Sequence, residues 1–330
     1  MLAADQGVTA VAYPNIALIK YWGKRDEDQV IPWADSLSLT LDVFPTTTTL
    51  HVGQTGDVDR VTVDGVPASG TVSRRVVGFL ELVRKRAGRT ESAVVSTHND
   101  GPMGAGLASS ASAFAALALA AAEAYGLELD ATDLSRLARR GSGSAARSVF
   151  GGFVLWHAGE DDPGSFAEQI GVEFDPAMVI TLIDTAPKAL SSRTAMRSTV
   201  ETSPLYRAWI ESSRADLTDM RTALERGDLD MVGEIAERNA LGMHATMLAA
   251  RPAVRYLAAP TLNVLDNVTA LRDEGTSAYA TMDAGPNVKV LCSPGDADRV
   301  AARMREAVPG CTTVVARRGT GAALLTEEPG

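Results

Sequence analysis

Pro102-Met103-Gly104-Ala105-Gly106-Leu107-Ala108-Ser109-Ser110-Ala111-Ser112 runs straight into Ala113-Phe114-Ala115-Ala116-Leu117-Ala118-Leu119-Ala120, so that glycines and adjacent serines open an alanine-rich helix. The first turn of a helix leaves backbone N–H groups without intrahelical partners and carries the positive end of the dipole, so it can hold phosphate oxygens. Gly104 and Gly106 let the backbone approach a ligand closely, and Ser109 and Ser110 offer hydroxyls to an oxygen or a metal ion. Two other phosphate loops are excluded. No Gly-Lys-Ser/Thr follows, as a Walker A loop needs, and no third glycine completes a dinucleotide fingerprint. Taken alone, the segment fits an anion site and a serine-capped core helix equally well.

Bulk properties limit what that site can serve. The 330 residues suffice for one large or two ordinary domains with a full core, and 45% hydrophobic with 22% charged residues is the balance of a soluble globular protein. A net charge of −10 argues against nucleic acid or an anionic membrane as partner, because both need a basic surface. Any anion site must therefore be a local basic pocket. The longest wholly apolar run, 113–122, is far shorter than the roughly 20 residues of a membrane span. The first five residues show no basic region followed by an apolar core, so no signal peptide is expected. Cys292 and Cys311 form no CxxC pair and are expected to sit reduced in the core of a cytoplasmic protein. The four histidines, His51, His98, His157 and His244, lack zinc-site spacing.

Strands and helices mix without regular βα alternation, which points to an α+β architecture. Residues 8–13 alternate as a strand up to Pro14, and 15–24 (Asn15-Ile16-Ala17-Leu18-Ile19-Lys20-Tyr21-Trp22-Gly23-Lys24) is too irregular to assign. Lys20, flanked by Ile19 and Tyr21, is expected to be partly desolvated and to meet an anionic partner. Residues 36–63 read as a β-meander, 72–86 as a helix stopped by Gly88 with Arg75 near its start, and 93–97 as a strand feeding the glycine loop. After a stop at Tyr125-Gly126, residues 130–133 cap a helix ending at Arg140-Gly141.

Ser142-Gly143-Ser144-Ala145-Ala146-Arg147-Ser148 then resembles a second helix start, either an anion site with Arg147 one turn inside or an ordinary cap with Arg147 in solvent. Strands at 153–156 and 178–183 lead to Ala186-Pro187, where the domain boundary is expected. Beyond it lie a polar loop at 191–196, helix over 200–248 broken at Gly227-Asp228, and a helix at 262–272. A strand at 278–282, the turn Asp283-Ala284-Gly285-Pro286-Asn287, a strand at 288–292, a helix at 296–307 and a strand at 312–316 complete the chain. Asp283 heads that turn, a place where aspartate is favoured simply for bonding the backbone.

The glycine-serine loop resembles motif 2 of the GHMP kinase superfamily, small-molecule kinases that bind ATP through it. Within that superfamily the chain resembles the diphosphomevalonate decarboxylase family at 15–24, 104–112 and 282–289, with Ser142-Gly143-Ser144-Ala145-Ala146-Arg147 and Ser191-Ser192-Arg193 adding two further matches in the family's order. The resemblance implies a two-domain fold, a ribosomal protein S5 domain 2-like part over 1–187 and a ferredoxin-like part over 188–330, with the site in the cleft, and a homodimer. It also implies ATP- and Mg²⁺-dependent decarboxylation of (R)-5-diphosphomevalonate to isopentenyl diphosphate, ADP, phosphate and carbon dioxide. By matching positions, Gly104, Ala105, Gly106, Leu107, Ala108, Ser109 and Ser110 would bind ATP. Tyr21, Trp22, Gly23, Lys24, Ser142, Gly143, Ser144, Ala145, Ala146, Arg147, Ser192 and Arg193 would bind the substrate, with Arg75 carried over on its helix context alone. Asp283 matches the catalytic aspartate, and Lys20, Asn15 and Arg147 would line the reacting centre; no metal ligand is assigned.

The implied chemistry makes sense of these residue types. A tertiary 3-hydroxyl leaves poorly until phosphorylated, and loss of carbon dioxide then supplies the electrons of the double bond without a pyridoxal or thiamine sink. The protein must align the γ-phosphate with the hydroxyl, place a carboxylate beside it and neutralise negative charge. Asp283 suits the second task, and Lys20, Lys24 and Arg147 the third. A kinase of the superfamily, a decarboxylase of the monophosphate, and a catalytically silent sensor are the rivals, the last having no need of Lys20, Arg147 and Asp283 together.

Overall fold

A computed structural model of the protein describes residues 7–53, 58–101, 109–184, 186 and 190–325. The first half of the chain begins with β1 (Val8–Ala12), β2 (Asn15–Ile19), β3 (Lys24–Asp26), β4 (Ile31–Pro32), β5 (Ser36–Thr40), β6 (Thr46–Val52), β7 (Arg60–Val63) and β8 (Val66–Pro67). It continues through α1 (Gly70–Ala87), β9 (Ala93–Asn99), α2 (Ser109–Ala124), α3 (Ala131–Gly141), α4 (Ala145–Ser148), β10 (Phe153–Trp156) and β11 (Ala167–Gln169). The second half comprises β12 (Ala177–Leu182), α5 (Ser192–Thr202), α6 (Tyr206–Arg226), α7 (Leu229–Leu248), α8 (Ala259–Asp273), β13 (Ala278–Met282), β14 (Val288–Cys292), α9 (Ala297–Ala307), β15 (Thr312–Ala316) and β16 (Ala323–Leu325).

The alanine-rich helix α2 is apolar all round because it is buried nearly all round. It lies on β1 and β6 and is flanked by α3 and α4. Below it runs a sheet of order β16-β1-β6-β9-β7-β8, antiparallel except where β7 joins β9. A second sheet, β11-β10-β5-β2, carries β2 at its edge, with all five β2 residues buried. Ile16 and Leu18 share a core with Met220, Val232 and Ile235, from α6 and α7 of the second half. Burial on both sides removes the polar alternation by which a strand is recognised, so 15–19 looks irregular in sequence yet is a strand.

The meander expected over 36–63 does not form. β5 pairs with β2 and β10, whereas β6 lies between β1 and β9, so the chain changes sheets between Thr40 and Thr46. Thr-, Val- and Leu-rich strands carry no label saying which sheet they join. The polar loop expected at 191–196 is instead the start of α5, where Ser191 Oγ accepts the Thr194 N–H at 3.2 Å. The predicted stops hold: Gly88 and Gly227 sit at φ 65° and 62°, the left-handed conformation glycine adopts without strain.

In the second half, β12, the helices α5 to α8, β13, β14, α9 and β15 give a β-α-β-β-α-β succession, with sheet order β13-β14-β12-β15 and all pairs antiparallel. That is a ferredoxin-like arrangement with extra helices in its first crossover. The boundary expected at 187/188 needs correction. β12 lies at the centre of this second sheet, so the chain leaves the first half between Gln169 and Ala177. An apolar strand such as β12 reads alike in either sheet, and Pro187 lies outside the described residues. β16 returns to pair with β1, Thr9 opposite Leu325. Cys292 is buried as expected, but Cys311 is only partly so, and both are free thiols.

Candidate active site

A cavity of about 380 Å³ opens where β2, α2, the α3–α4 connection, α5 and the β13–β14 turn converge. At its floor the two halves of the chain meet through one carboxylate. Asp283 Oδ1 lies 2.8 Å from Lys20 Nζ and Oδ2 lies 3.2 Å from Lys289 Nζ, with both lysine side chains 1% exposed and that of Asp283 24%. Lys20 is aimed here by a bulge in β2 between Ala17 and Ile19, by its backbone N–H on Asn239 Oδ1 at 2.9 Å, and by Nζ on the Ala17 carbonyl at 2.7 Å. Burial would push the Asp283 carboxyl up, but the two ammoniums overcome it and hold the group well below the usual carboxylate range. Burial also lowers the Lys20 ammonium to about 8, against the pull of Asp283. A buried ion pair contributes little to stability, so a buried charge cluster opening on a cleft points to chemistry.

Arg147 forms the second cluster. It is 2% exposed, not the solvated helix residue that one sequence alternative allowed. Its Nε donates to Ser38 Oγ at 3.0 Å and Asn15 Oδ1 at 3.2 Å, and Nη1 donates to Ser36 Oγ. Asn15 in turn donates Nδ2 to Ser148 Oγ at 2.8 Å and to the Ser144 carbonyl at 3.0 Å, tying β2 to α4. Among the described residues Arg147 has no carboxylate partner, although it borders the cavity. Burial lowers its guanidinium to about 10, which leaves it charged at neutral pH.

Nearer the mouth stand Tyr21, Trp22, Lys24, Arg75, Ser142, Gly143, Ser144, Ser192 and Arg193, all bordering the cavity. Among the described residues, the buried Tyr21 hydroxyl meets no hydrogen-bond partner. A Cβ at Gly143 would meet that hydroxyl at 2.8 Å, which is why glycine stands there. Lys24 is engaged by Glu27 at 2.7 Å. Arg75 gives Nη2 to the Gly141 carbonyl at 3.0 Å and lies 4.8 Å over the Phe114 ring. Burial, then repulsion from Arg193, lowers Arg75 to about 10. An anion between these two would relieve that repulsion.

Three expected contacts do not border the cavity. Ala145 and Ala146 are fully buried, packed into the cores on either side of α4. Gly23, at φ 99°, is pressed against Tyr206, whose hydroxyl donates to the Trp22 carbonyl at 2.8 Å. Any part these three play is through shape. Gly104, Ala105, Gly106, Leu107 and Ala108 lie outside the described residues. Ser109 and Ser110 do border the cavity, and Ser110 Oγ lies 3.2 Å from Ser142 Oγ, joining the two helix starts.

Sequence reasoning missed Lys289, Ser36 and Ser38. A lysine inside the apolar strand Val288–Cys292 was the available signal for the first; nothing local marks the serines of β5, whose partner is 109 or more residues away. His244 of α7, one of the four histidines without zinc-site spacing, is buried against the Asp283 backbone; burial lowers it to about 4, so it is neutral at pH 7.

The residues present fit a nucleotide with magnesium. The cavity joins a helix start bearing Ser109 and Ser110 to Lys20, Arg147 and Arg193. Among the described residues no three His, Cys, Asp or Glu side chains gather as a metal site. Magnesium usually keeps several waters and is held by one or two carboxylates plus substrate phosphates rather than by an all-protein cage, so it would ride on the nucleotide's phosphates beside the Ser109 and Ser110 hydroxyls.

Comparison with known proteins agrees with this geometry. Residues 12–167 match the family described as the diphosphomevalonate decarboxylase-like N-terminal domain, and residues 178–324 the mevalonate 5-diphosphate decarboxylase C-terminal domain. The interval between the two is where the chain passes from β11 of the first half to β12 of the second. Diphosphomevalonate decarboxylase of Homo sapiens is 38% identical over 308 residues, covering 86% of this chain and 76% of the relative. The structure of mevalonate diphosphate decarboxylase from Enterococcus faecalis is 43% identical with a TM-score of 0.92, over 97% of this chain and 99% of that one. The Staphylococcus aureus enzyme is 37% identical with a TM-score of 0.94, over 97% and 98%. MDDEF in complex with MVAPP, AMPPCP and magnesium is 43% identical with a TM-score of 0.93, over 97% and 99%.

Proposed function

The chain belongs to the diphosphomevalonate decarboxylase family, and on that premise we propose that its cleft converts (R)-5-diphosphomevalonate and ATP into isopentenyl diphosphate, ADP, phosphate and carbon dioxide. The observation that carries the residue assignments is the position of the Asp283 carboxylate, set between two buried lysines at the floor of the cleft.

Asp283 accepts a hydrogen bond from the substrate's 3-hydroxyl and aligns its oxygen with the γ-phosphorus of ATP. A carboxyl held so far below its usual range is a weak base, so its contribution is chiefly orientation and charge. The hydroxyl proton passes to it late, once the new P–O bond has made that proton acidic. The bond between the γ-phosphorus and the ADP oxygen breaks as the 3-oxygen bond forms. Next the C3–O bond breaks, phosphate leaves, and the electrons of the bond to the carboxyl carbon become the double bond as carbon dioxide departs. Asp283 offsets positive charge growing at C3, and Lys20 and Arg147 stabilise the departing phosphate.

Tyr21, Lys24, Ser142, Ser144, Ser192, Arg193 and Arg75 hold the diphosphate, and Asn15 keeps Arg147 in place. Ser109 and Ser110 hold ATP phosphates at the start of α2, where magnesium, when bound, supplies charge neutralisation along the phosphate chain. The reading includes a homodimer in the cytoplasm, the latter supported by two free thiols. No helix among the described residues is long and apolar enough to cross a membrane.

The test is Asp283→Asn. Asparagine keeps the shape and the turn's backbone bonds but loses the charge, so single-turnover ADP formation should fall by roughly 10² to 10⁴ while binding of both substrates stays near wild type; the unfolding temperature should drop but the fold persist, because two buried ammoniums lose their counter-ion. Unchanged ADP formation would remove Asp283 from the chemistry.

A further inference from the structure

Lys289 has no task in the reaction as written, yet it sits fully buried as the second residue of β14, between Val288 and Val290. The β13–β14 register sets Thr281 opposite Lys289 and Met282 opposite Val288, so the turn at 283–287 carries Asp283 back over the lysine. One lysine would neutralise the carboxylate, and Lys20 does so on Oδ1 at 2.8 Å. The second, at 3.2 Å from Oδ2, leaves Lys20, Lys289 and Asp283 with one surplus positive charge in a place where such a charge is costly. Among the described residues, the charged and titratable groups that act on Lys20 and Asp283 bring no second anion: α4 adds the Arg147 guanidinium, and α7 presents neutral His244. An apolar residue would satisfy a fully buried strand position, so the fold alone gives no reason for a lysine here.

We infer that Lys289 is a positioning residue for Asp283, ion-paired with Oδ2 while Lys20 hydrogen-bonds Oδ1, so that the carboxylate is held facing the 3-hydroxyl with Oδ2 open to accept from it, and the floor of the cleft stays net cationic beneath the leaving phosphate. The inference rests on the decarboxylase reading above. It assigns the two buried lysines complementary oxygens and one shared purpose.

Lys289→Met keeps the length and removes the charge, and Lys289→Gln serves as a second, polar replacement. In both, kcat should fall roughly 10- to 100-fold, with KM for ATP and for mevalonate diphosphate within about 3-fold of wild type. The alkaline limb of kcat/KM, set by Lys20, should move up by about one pH unit, because a repelling cation has gone. A double variant with Asp283→Asn should be no slower than Asp283→Asn alone, since Lys289 acts through that carboxylate. Unchanged kcat, a stationary limb, a multiplicative loss in the double variant, or failure of both single variants to fold would overturn the assignment. If the wild-type protein itself released no carbon dioxide from mevalonate diphosphate, the decarboxylase reading would be what fails.

Discussion

Lys20 is where sequence and structure meet most closely at the residue scale. Its apolar neighbours implied desolvation and hence an anionic partner; the partner proved to be Asp283, 263 positions away, which no local pattern could name. Its charge state has a kinetic consequence. The ammonium is needed in its charged form, and burial brings its pKa down to about 8, so activity should be present below that pH and lost as pH rises through it. A kcat/KM profile falling about tenfold per pH unit above the limb is the expected outcome. A profile flat to pH 9.5 would show that Lys20 need not be charged. Arg147 taught the opposite lesson: its sequence context left solvent and site equally open, and only the serines of β5 and Asn15 of β2, all distant in sequence, make it a buried cation.

Among the elements, α2 and the hairpin that carries Asp283 were legible because each is written in one contiguous run: glycine and serine before an alanine helix, and a turn between two apolar strands. β2 and β5 were not, because a strand buried on both faces loses its alternation and a strand does not announce its partner. The start of α5 reads as a loop in sequence because its first turn, Ser192-Arg193-Thr194, is polar, with Ser192 and Arg193 lining the cleft. The two helix starts, joined by Ser110 and Ser142, separate the nucleotide from the substrate in this account. Ser110→Ala should therefore raise the KM for ATP about 5-fold, the cost of one hydrogen bond near 1 kcal/mol, while the Kd for mevalonate diphosphate stays within about 2-fold. Titration calorimetry with each ligand separates the two. Weakened mevalonate diphosphate binding with unaltered ATP use would put the nucleotide elsewhere.

The whole molecule carries a net charge of −10 and yet gathers Lys20, Lys24, Arg75, Arg147, Arg193 and Lys289 in or beneath one cleft, so the overall charge says nothing of the site. That gathering needs both halves of the chain, since β2 and α4 bring cations from the first and α5 and β14 from the second. The α+β class and two-part organisation could be read from the order of elements, but not the sheet to which β12 belongs, nor the return of β16 to β1. So many donors suit a diphosphate better than a monophosphate. Losing two charge-assisted hydrogen bonds at about 1.5 kcal/mol each should cost the monophosphate about 100-fold in kcat/KM. The most direct measurement follows ADP and carbon dioxide together in one reaction with ATP and mevalonate diphosphate. Equal molar release of both, with the monophosphate about 100-fold less efficient, is the predicted result; ADP formed without carbon dioxide would contradict it and make the protein a kinase.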